Sequence, residues 1–167
     1  MSGGKATGTL VRAALRYLRK AKRRAGARAQ AGAMRPERLR HTLLGERDGR
    51  ASGWHHRPGG VDPPGAKFLR ETRRDHRTGV YEGRVAMQDR RTGEWREKRD
   101  RSTFFPDDWT PAQVDNAITR GFREGARLDP NTGTWTSTFR GISLRGYYDP
   151  ATGALQHGFP VLPRNLP

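Results

Sequence analysis

The sequence of 167 residues contains no cysteine, which excludes disulfide bonds and thiolate metal sites. It has no apolar run near the ~20 residues that a membrane-spanning helix needs. No signal-peptide core follows Met1, so we expect any export to depend on something other than an N-terminal signal. Acidic residues are scarce in the first forty positions, where Glu37 is the only one.

Positive charge is abundant instead. The chain has 33 lysines and arginines against 17 acidic residues, which leaves a net charge of +16. Twelve basic residues against one acidic residue give residues 1–40 a charge of +11, and the remaining residues carry +5. This surplus favours a polyanionic partner, with nucleic acid as the first choice. We therefore divide the chain into a cationic helical arm, residues 1–34, and one domain, residues 35–167.

The arm has a helical period. Leu10, Ala14, Tyr17, Leu18 and Ala21 fall on one side, and arginines and lysines fall largely on the other. Such a helix could dock its apolar stripe on the domain, grip RNA, or lie on a membrane surface. After it, Pro36 suits the first turn of a second, shorter helix.

The domain has the patterns of strands joined by tight turns. Within the domain, the dipeptide Thr-Gly occurs four times, each where a hairpin turn would need positive φ. Alternation predicts three strands, each with one face formed by the following residues: Tyr81, Val85 and Met87; Ile142, Leu144 and Tyr148; Leu155, His157, Phe159 and Val161.

One helix interrupts the strands. Thr110 is the expected N-cap, Pro111 the first helical residue and Gln113 the partner in a capping box. Its predicted buried stripe holds Val114, Ala117, Ile118 and Phe122. The predicted fold class is therefore α+β: N-terminal helices, then antiparallel sheets with one inserted helix.

Three of the five histidines lie within sixteen residues, in the stretch from Arg40 to Gly60. Two imidazoles across an RNA phosphate can act as a base on the 2′-OH and an acid on the departing 5′-oxygen. A nearby cation can hold the charge that develops on the phosphorus oxygens. From composition alone, His41, His55 and His56 are candidates for this pair.

Three stretches resemble the bacterial EndoU-type endoribonucleases, in order and with compatible spacing over residues 38–162. "RHTLLGERDGRASGWHHRPG" is similar to the family's paired-histidine signature. "WREKRDRSTFFPDDWTPAQVDNAI" is similar to its lysine and Ser-Thr-Phe-Phe-Pro marker, and "YYDPATGALQHGFP" to its closing strands. The resemblance implies a nuclease fold of the barnase/EndoU/colicin/RelE type, with a cleft between two small antiparallel sheets.

The resemblance also implies roles for single residues. His41 and His55 become the acid/base pair, in either order, and Lys98 becomes the cation on the scissile phosphate. Ser102, assisted by Thr103, becomes the group that contacts the base. Arg96 is the rival of Lys98, and His56 a neighbour that shapes the loop.

The end of the chain departs from the family pattern, which closes with Thr-x-Tyr-Pro. Here His157 replaces the threonine and Phe159 keeps an aromatic ring without its hydroxyl. We expect both to bind substrate, which leaves the family's uridine preference and the role of His157 open.

By the same resemblance, the chain is an endoribonuclease toxin that needs no metal or cofactor. It would cleave RNA, with tRNA as the expected substrate, and leave a 2′,3′-cyclic phosphate. It would be a monomer, a secreted or contact-delivered effector acting in the target-cell cytoplasm, and a cognate immunity protein would neutralise it.

Two other functions compete with this interpretation. "GWHH" is also similar to the Trp-His-His toxins among the metal-dependent His-Me finger nucleases, which need a further metal ligand on a short helix. His76 and His157 are the only later histidines, and His76 lies in a charged, turn-flanked segment. A basic module that binds RNA without cleaving it would explain the charge, but not the histidine spacing.

Overall fold

Three helices open the described chain. The computed structural model describes residues 3–166, with side chains from residue 8 onward. The helices are α1 (Gly3–Arg23), α2 (Ala25–Gln30) and α3 (Pro36–Leu44). On α1, Ala14, Leu18 and Ala21 are buried, while Arg12, Arg16 and Arg19 are exposed. Of the three uses considered for this helix, docking on the domain is the one the structure adopts.

A buried ion pair ties the arm to the domain. The Arg28 guanidinium donates to both carboxylate oxygens of Asp115, at 2.6 and 2.9 Å, and also to the carbonyl of Met34. The hydroxyl of Tyr17 donates to the same carboxylate at 2.7 Å. Leu18 of the arm joins the apolar core that holds the domain's own side chains. The charge of the chain changes near residue 34, but residues on both sides of this boundary share one hydrophobic core.

The first sheet is built around one central strand. It contains β1 (Ala66–Arg74), β2 (Tyr81–Gln88), β3 (Trp95–Glu97) and β4 (Ser102–Phe104). Strand β2 pairs antiparallel with each of the other three. Tyr81, Val85 and Met87 are buried, as the alternation predicted. They form a second core with Trp54 and Phe104.

The second sheet is a meander that one helix covers from behind. Its strands, in order, are β5 (Arg127–Asp129), β6 (Thr134–Phe139), β7 (Ile142–Tyr148) and β8 (Leu155–Val161). The helix is α4 (Pro111–Gly125), and Gly121 packs so closely that an added Cβ would lie 2.6 Å from Leu144. Ile142, Leu144 and Tyr148 are buried, which confirms the predicted face.

The predicted capping box begins α4. The Thr110 hydroxyl accepts the backbone N–H of Gln113 at 3.2 Å, and the Gln113 side chain accepts that of Thr110 at 2.7 Å. Val114, Ala117 and Ile118 of the predicted stripe are buried. These contacts are local, so the sequence alone could specify them.

The four Thr-Gly dipeptides of the domain close four hairpin turns of one design. In each, an aspartate side chain accepts the backbone N–H two residues later, and a glycine at positive φ ends the turn. The aspartates are Asp75, Asp89, Asp129 and Asp149.

One predicted strand face is wrong at its first residue. Tyr148 pairs with Leu155, whereas Tyr147 pairs with His157, so Gln156 is the extra residue of a β-bulge. Leu155 consequently packs in the core with Tyr148. His157 lies on the opposite face of the sheet, because the bulge reverses the alternation.

The two sheets meet at β4 and β8. The hydroxyl of Thr103, on β4, donates a hydrogen bond to the carbonyl of Pro160, on β8. The chain is thus an α+β fold with two antiparallel sheets and an inserted helix, as predicted. A cleft lies along this junction.

Candidate active site

A left-handed turn places the second histidine of the sequence signature against helix α3. Gly53 has φ +71° and Trp54 has φ +66°, an uncommon value for a residue with a side chain. The N–H of Trp54 donates to the carbonyl of His41 at 3.0 Å, and that of His55 to the carbonyl of Thr42 at 2.7 Å. The fully buried Trp54 indole anchors the turn, and its N–H donates to the carbonyl of His56.

Gly53 fits against His41 because it has no side chain. An added Cβ would lie 2.3 Å from the His41 carbonyl oxygen and 2.9 Å from its Nε2. The left-handed φ and this close approach require glycine at the position. The Gly-Trp pair of the sequence therefore serves to bring the two histidine segments together.

His41 lies at the end of α3 and has a carboxylate beside it. Its Nδ1 is 3.0 Å from Glu46 Oε1, although the contact is not aligned as a hydrogen bond. The His41 side chain is about 15% exposed, and that of Glu46 is largely exposed. A protonated His41 would have a negative partner within contact distance.

His55 is held in one orientation and kept neutral. Its Nδ1 lies 2.7 Å from the Thr103 carbonyl, which can only accept, so Nδ1 carries the proton and Nε2 is left as a free base. Burial lowers the pKa of His55 well below its usual value, and the positive charge of Lys98 lowers it further.

His56 and His76 lie elsewhere. His56 is 1% exposed, and its Nε2 donates to the carbonyl of Trp109 at 2.7 Å, so it fixes the loop to the segment before α4. His76 is exposed in the turn between β1 and β2. Neither residue lines the cleft.

Lys98 lines the same cleft, and two neighbouring groups hold its ammonium in place. Its Nζ donates to Ser102 Oγ at 2.8 Å and to the Gly53 carbonyl at 3.2 Å. Burial lowers the pKa of Lys98 to about 8. Arg96, the rival in the sequence, is largely exposed, with Glu94 and Asp89 as its ion-pair partners.

The structure gives Ser102 and Thr103 contacts within the protein. Ser102 has no exposed surface, and its hydroxyl is shared between Lys98 Nζ and the Gly53 carbonyl. Thr103 lines the cleft, while its backbone carbonyl orients His55. Ser102 thus lies below the cleft surface, in contact with the Lys98 ammonium.

His157 contacts both histidines of the sequence signature. Its ring centroid is 4.7 Å from that of His41 and 5.6 Å from that of His55. Its Nδ1 lies 3.2 Å from the hydroxyl of Thr42. Burial lowers the pKa of His157 to about 3, and the neighbouring charges of His41 and Arg38 add to the effect.

Phe159 completes the aromatic wall. Its ring stacks on that of His55, with centroids 5.2 Å apart and planes inclined by 18°. It is half-buried and lines the cleft with His157 and Tyr147. Tyr147 is 45% exposed, and its ring is nearly parallel to that of His157.

These side chains surround one cleft with a volume of about 460 Å³. Arg50, Arg99 and Arg101 extend its positive charge, and Asp100 is the acidic residue among its lining. The cleft therefore combines a neutral base, further imidazoles and cations, which suits chemistry on a phosphodiester. Among residues 3–166, no group of three or more histidines and carboxylates is arranged to hold a metal ion.

The family model described as "Bacterial EndoU nuclease" matches residues 36–162. The chain belongs to the bacterial EndoU nucleases. The match covers α3, both sheets and every cleft residue named above. No curated protein and no solved structure matches the chain. Within the part of the chain that the structure describes, no helix is long and apolar enough to cross a membrane.

The EndoU cleft holds residues that the sequence did not single out. Thr42 and Glu46 contact histidines of the cleft, Gly53 accepts from Lys98, and Tyr147 forms part of the wall. In the sequence, Gly53 could be recognised only as part of the Gly-Trp turn beside the histidines. Tyr147 could be recognised only as the neighbour of Tyr148, whose burial the strand alternation predicted.

Proposed function

We propose that this EndoU nuclease is an endoribonuclease that cleaves RNA through its own 2′-OH. The 2′-oxygen attacks the adjacent phosphorus, and the bond between phosphorus and the 5′-oxygen breaks. The products are a 2′,3′-cyclic phosphate and a free 5′-OH. Every proton and electron pair in this step stays within the substrate and the acid/base pair, so no co-reactant is needed.

His55 is the general base of this proposal. The Thr103 carbonyl holds the proton on Nδ1, which leaves the Nε2 lone pair to take the proton of the 2′-OH. The lowered pKa of His55 keeps the ring neutral before the reaction. A base must be unprotonated at the start, and the neutral, oriented ring of His55 meets this condition.

His41 is then the general acid. It gives its proton to the departing 5′-oxygen, and the carboxylate of Glu46 lies 3.0 Å from its Nδ1. His157 is a poorer choice for the acid, because a histidine whose pKa is about 3 is neutral near pH 7, and a neutral imidazole is a very weak acid.

Lys98 stabilises the charge that builds on the phosphorus oxygens. Its Nζ is fixed by Ser102 and Gly53, so it needs no reorganisation during the reaction. The observation that carries the proposal is the arrangement of one oriented neutral base, a second histidine and this cation around a single cleft.

We infer that the RNA is a tRNA and that the chain acts as a toxin delivered into a target-cell cytoplasm. A net charge of +16 favours a structured polyanion as substrate. A toxin with this activity requires a cognate immunity protein in the producing cell, and an acidic partner that covers the cationic cleft would suit that task. The toxin would act as a monomer, because one chain supplies every residue of the proposed site.

The decisive experiment incubates the purified protein with total tRNA in excess EDTA and maps the new ends. We expect cleavage that leaves 2′,3′-cyclic phosphates. His55→Ala or His41→Ala should lower the rate by roughly 10²–10⁴-fold, the contribution of a positioned acid or base. His56→Ala is the matched control and should retain activity in any protein that remains folded. Loss of activity in EDTA, or ends without a cyclic phosphate, would refute the mechanism.

A further inference from the structure

The second sheet has one open face that leads directly out of the cleft. Helix α4 covers the other face, where Leu144 and Gly121 are in close contact. On the open face, strand register aligns two rows of side chains across the four strands. The first row is Arg127, Thr136, Arg145 and Phe159. The second row is Asp129, Thr134, Tyr147 and His157.

Both rows end in cleft residues, because Phe159 and His157 lie on β8. Cross-strand partners point to the same side of a sheet, with strands about 4.8 Å apart. The open face is therefore continuous with the cleft, and Arg127 lies three strands away from Phe159. Arg127, Thr136, Arg145 and Tyr147 are all exposed.

The groups on this face are of the kind that bind a single strand of nucleic acid. Tyr147 offers an exposed ring beside His157, and exposed aromatic side chains on a sheet stack on unpaired bases. Among residues 3–166, the side chains of Arg127 and Arg145 have no hydrogen-bond or ion-pair partner. Asp129 is the one carboxylate of the two rows, and its Oδ1 already accepts the N–H of Asn131.

The charge of the open face indicates which kind of partner binds it. Two unpaired guanidiniums on an open polar sheet suit phosphates, and the threonine hydroxyls between them can donate to sugar and phosphate oxygens. Large apolar side chains, which would anchor a protein partner, are limited on these rows to Phe159 and Tyr147, both at the cleft end.

We propose that the open face of the second sheet binds the RNA strand beyond the scissile phosphate. Tyr147 stacks on a base next to the cleavage site, and Arg145 and then Arg127 bind successive parts of the backbone. This inference rests on RNA as the substrate, which the proposed function supplies. It adds a binding path for several nucleotides, which is formed by residues outside the acid/base pair.

The test uses a strand that cannot be cleaved, so that binding is measured apart from catalysis. Fluorescence anisotropy gives the Kd of a labelled eight-nucleotide RNA, fully 2′-O-methylated, at several salt concentrations. Arg127→Gln/Arg145→Gln should reduce the slope of log Kd against log salt by about 1.4, since each phosphate contact on a single strand contributes about 0.7. Tyr147→Ala should weaken binding at least about five-fold, the lower end for one stacked base.

Arg77→Gln/Arg91→Gln is the matched control. It removes the same charge from two exposed positions in hairpin turns of the first sheet. It should leave the salt slope nearly unchanged, and thermal melts should show all variants folded. A methylated dinucleotide, too short to reach from the cleft to Arg127, should bind the wild type and Arg127→Gln equally.

Equal salt slopes for the two double variants would overturn the proposal. This is the result expected if the open face serves a protein partner and not RNA. A length advantage that persists in Arg127→Gln/Arg145→Gln would also overturn it. If unmodified RNA binds with the expected pattern but is never cleaved, the open face stands and the proposed reaction fails.

Discussion

The imidazole of His157 lies edge-on against that of His41, with ring centroids 4.7 Å apart. The resemblance seen in the sequence implies a threonine at this position, whereas here an imidazole contacts both His41 and His55. Its Nδ1 is engaged with Thr42, and its pKa is about 3. These contacts indicate a positioning role.

The first prediction follows from that role. His157→Ala should lower kcat/KM by less than the roughly 10²–10⁴-fold expected for His55→Ala, and His157→Thr should retain more activity than His157→Ala. Single-turnover cleavage of tRNA measures both. If His157→Ala is as inactive as His55→Ala while its circular dichroism spectrum is unchanged, His157 transfers a proton and His41 does not.

A second prediction concerns Ser102. Its hydroxyl is fully buried and contacts Lys98 Nζ at 2.8 Å, so Ser102→Ala should lower kcat while KM and nucleotide preference stay the same. Ser102→Thr, which keeps the hydroxyl, should recover part of the loss if the extra methyl fits. A raised KM with altered nucleotide preference would instead place Ser102 in contact with the base.

The pH dependence of cleavage should reveal Lys98. Its pKa is about 8, so the ammonium is present below that pH and is lost as pH rises through it. We expect kcat to fall above about pH 8 in the wild type. Lys98→Arg should be less active but should lack this alkaline decline, because guanidinium stays protonated. An alkaline decline that persists in Lys98→Arg would assign it to another group.

Stability should fall in acid because of the buried histidines. The pKa of an unfolded histidine is about 6.5 and that of folded His157 is about 3, so the unfolded state alone takes up a proton between these values. Stability from this source is present above pH 6.5 and is lost progressively toward pH 3. At pH 5 the loss is roughly 2 kcal/mol for His157 alone, from 1.36 kcal/mol per pKa unit.

Urea denaturation at pH 7 and pH 5 measures this effect. His157→Asn should reduce the difference between the two midpoints, and His76→Asn, at an exposed turn position, should not. Burial also lowers the pKa values of His55 and His56, so a part of the acid sensitivity should remain in His157→Asn. Identical pH dependence in His157→Asn and the wild type would contradict the assignment.

The structural features that the sequence predicted correctly are local contacts or repeated motifs. The capping box of α4 and the Asp-x-x-Thr-Gly turns need only residues close in the chain, and alternation placed Tyr81 correctly. The face of Leu155 was missed because the bulge at Gln156 depends on how β8 pairs with β7. Bulges are set by the partner strand, which a single-strand pattern does not contain.

The candidate site likewise combines residues that could be predicted from the sequence with contacts that could not. Residue type made His41 and His55 candidates, the family resemblance singled out Lys98, and all three line one cleft. The contacts that orient them span long separations: Thr42 and His157 are 115 residues apart, and Lys98 and Gly53 are 45 apart. Such pairs become visible only when the fold brings α3, the Gly-Trp turn and β8 together.

The last prediction tests whether the cationic arm is a folding unit. The division at residue 34 follows charge, but Arg28 and Asp115 form a pair whose side chains are 12% and 7% exposed. Arg28→Ala leaves that carboxylate buried with only Tyr17 as a side-chain donor, and removal of one partner from a buried ion pair costs roughly 3–5 kcal/mol. Arg28→Met/Asp115→Leu, which removes both charges, should be much less destabilised. Arg16→Gln on the exposed face of α1 should leave the unfolding free energy within about 0.5 kcal/mol of the wild type.

Deletion of residues 1–34 should then expose the core around Leu39 and yield a protein that does not unfold cooperatively. A truncated protein with a sharp transition and full turnover at saturating RNA would instead show that the arm is separable, as its charge suggests.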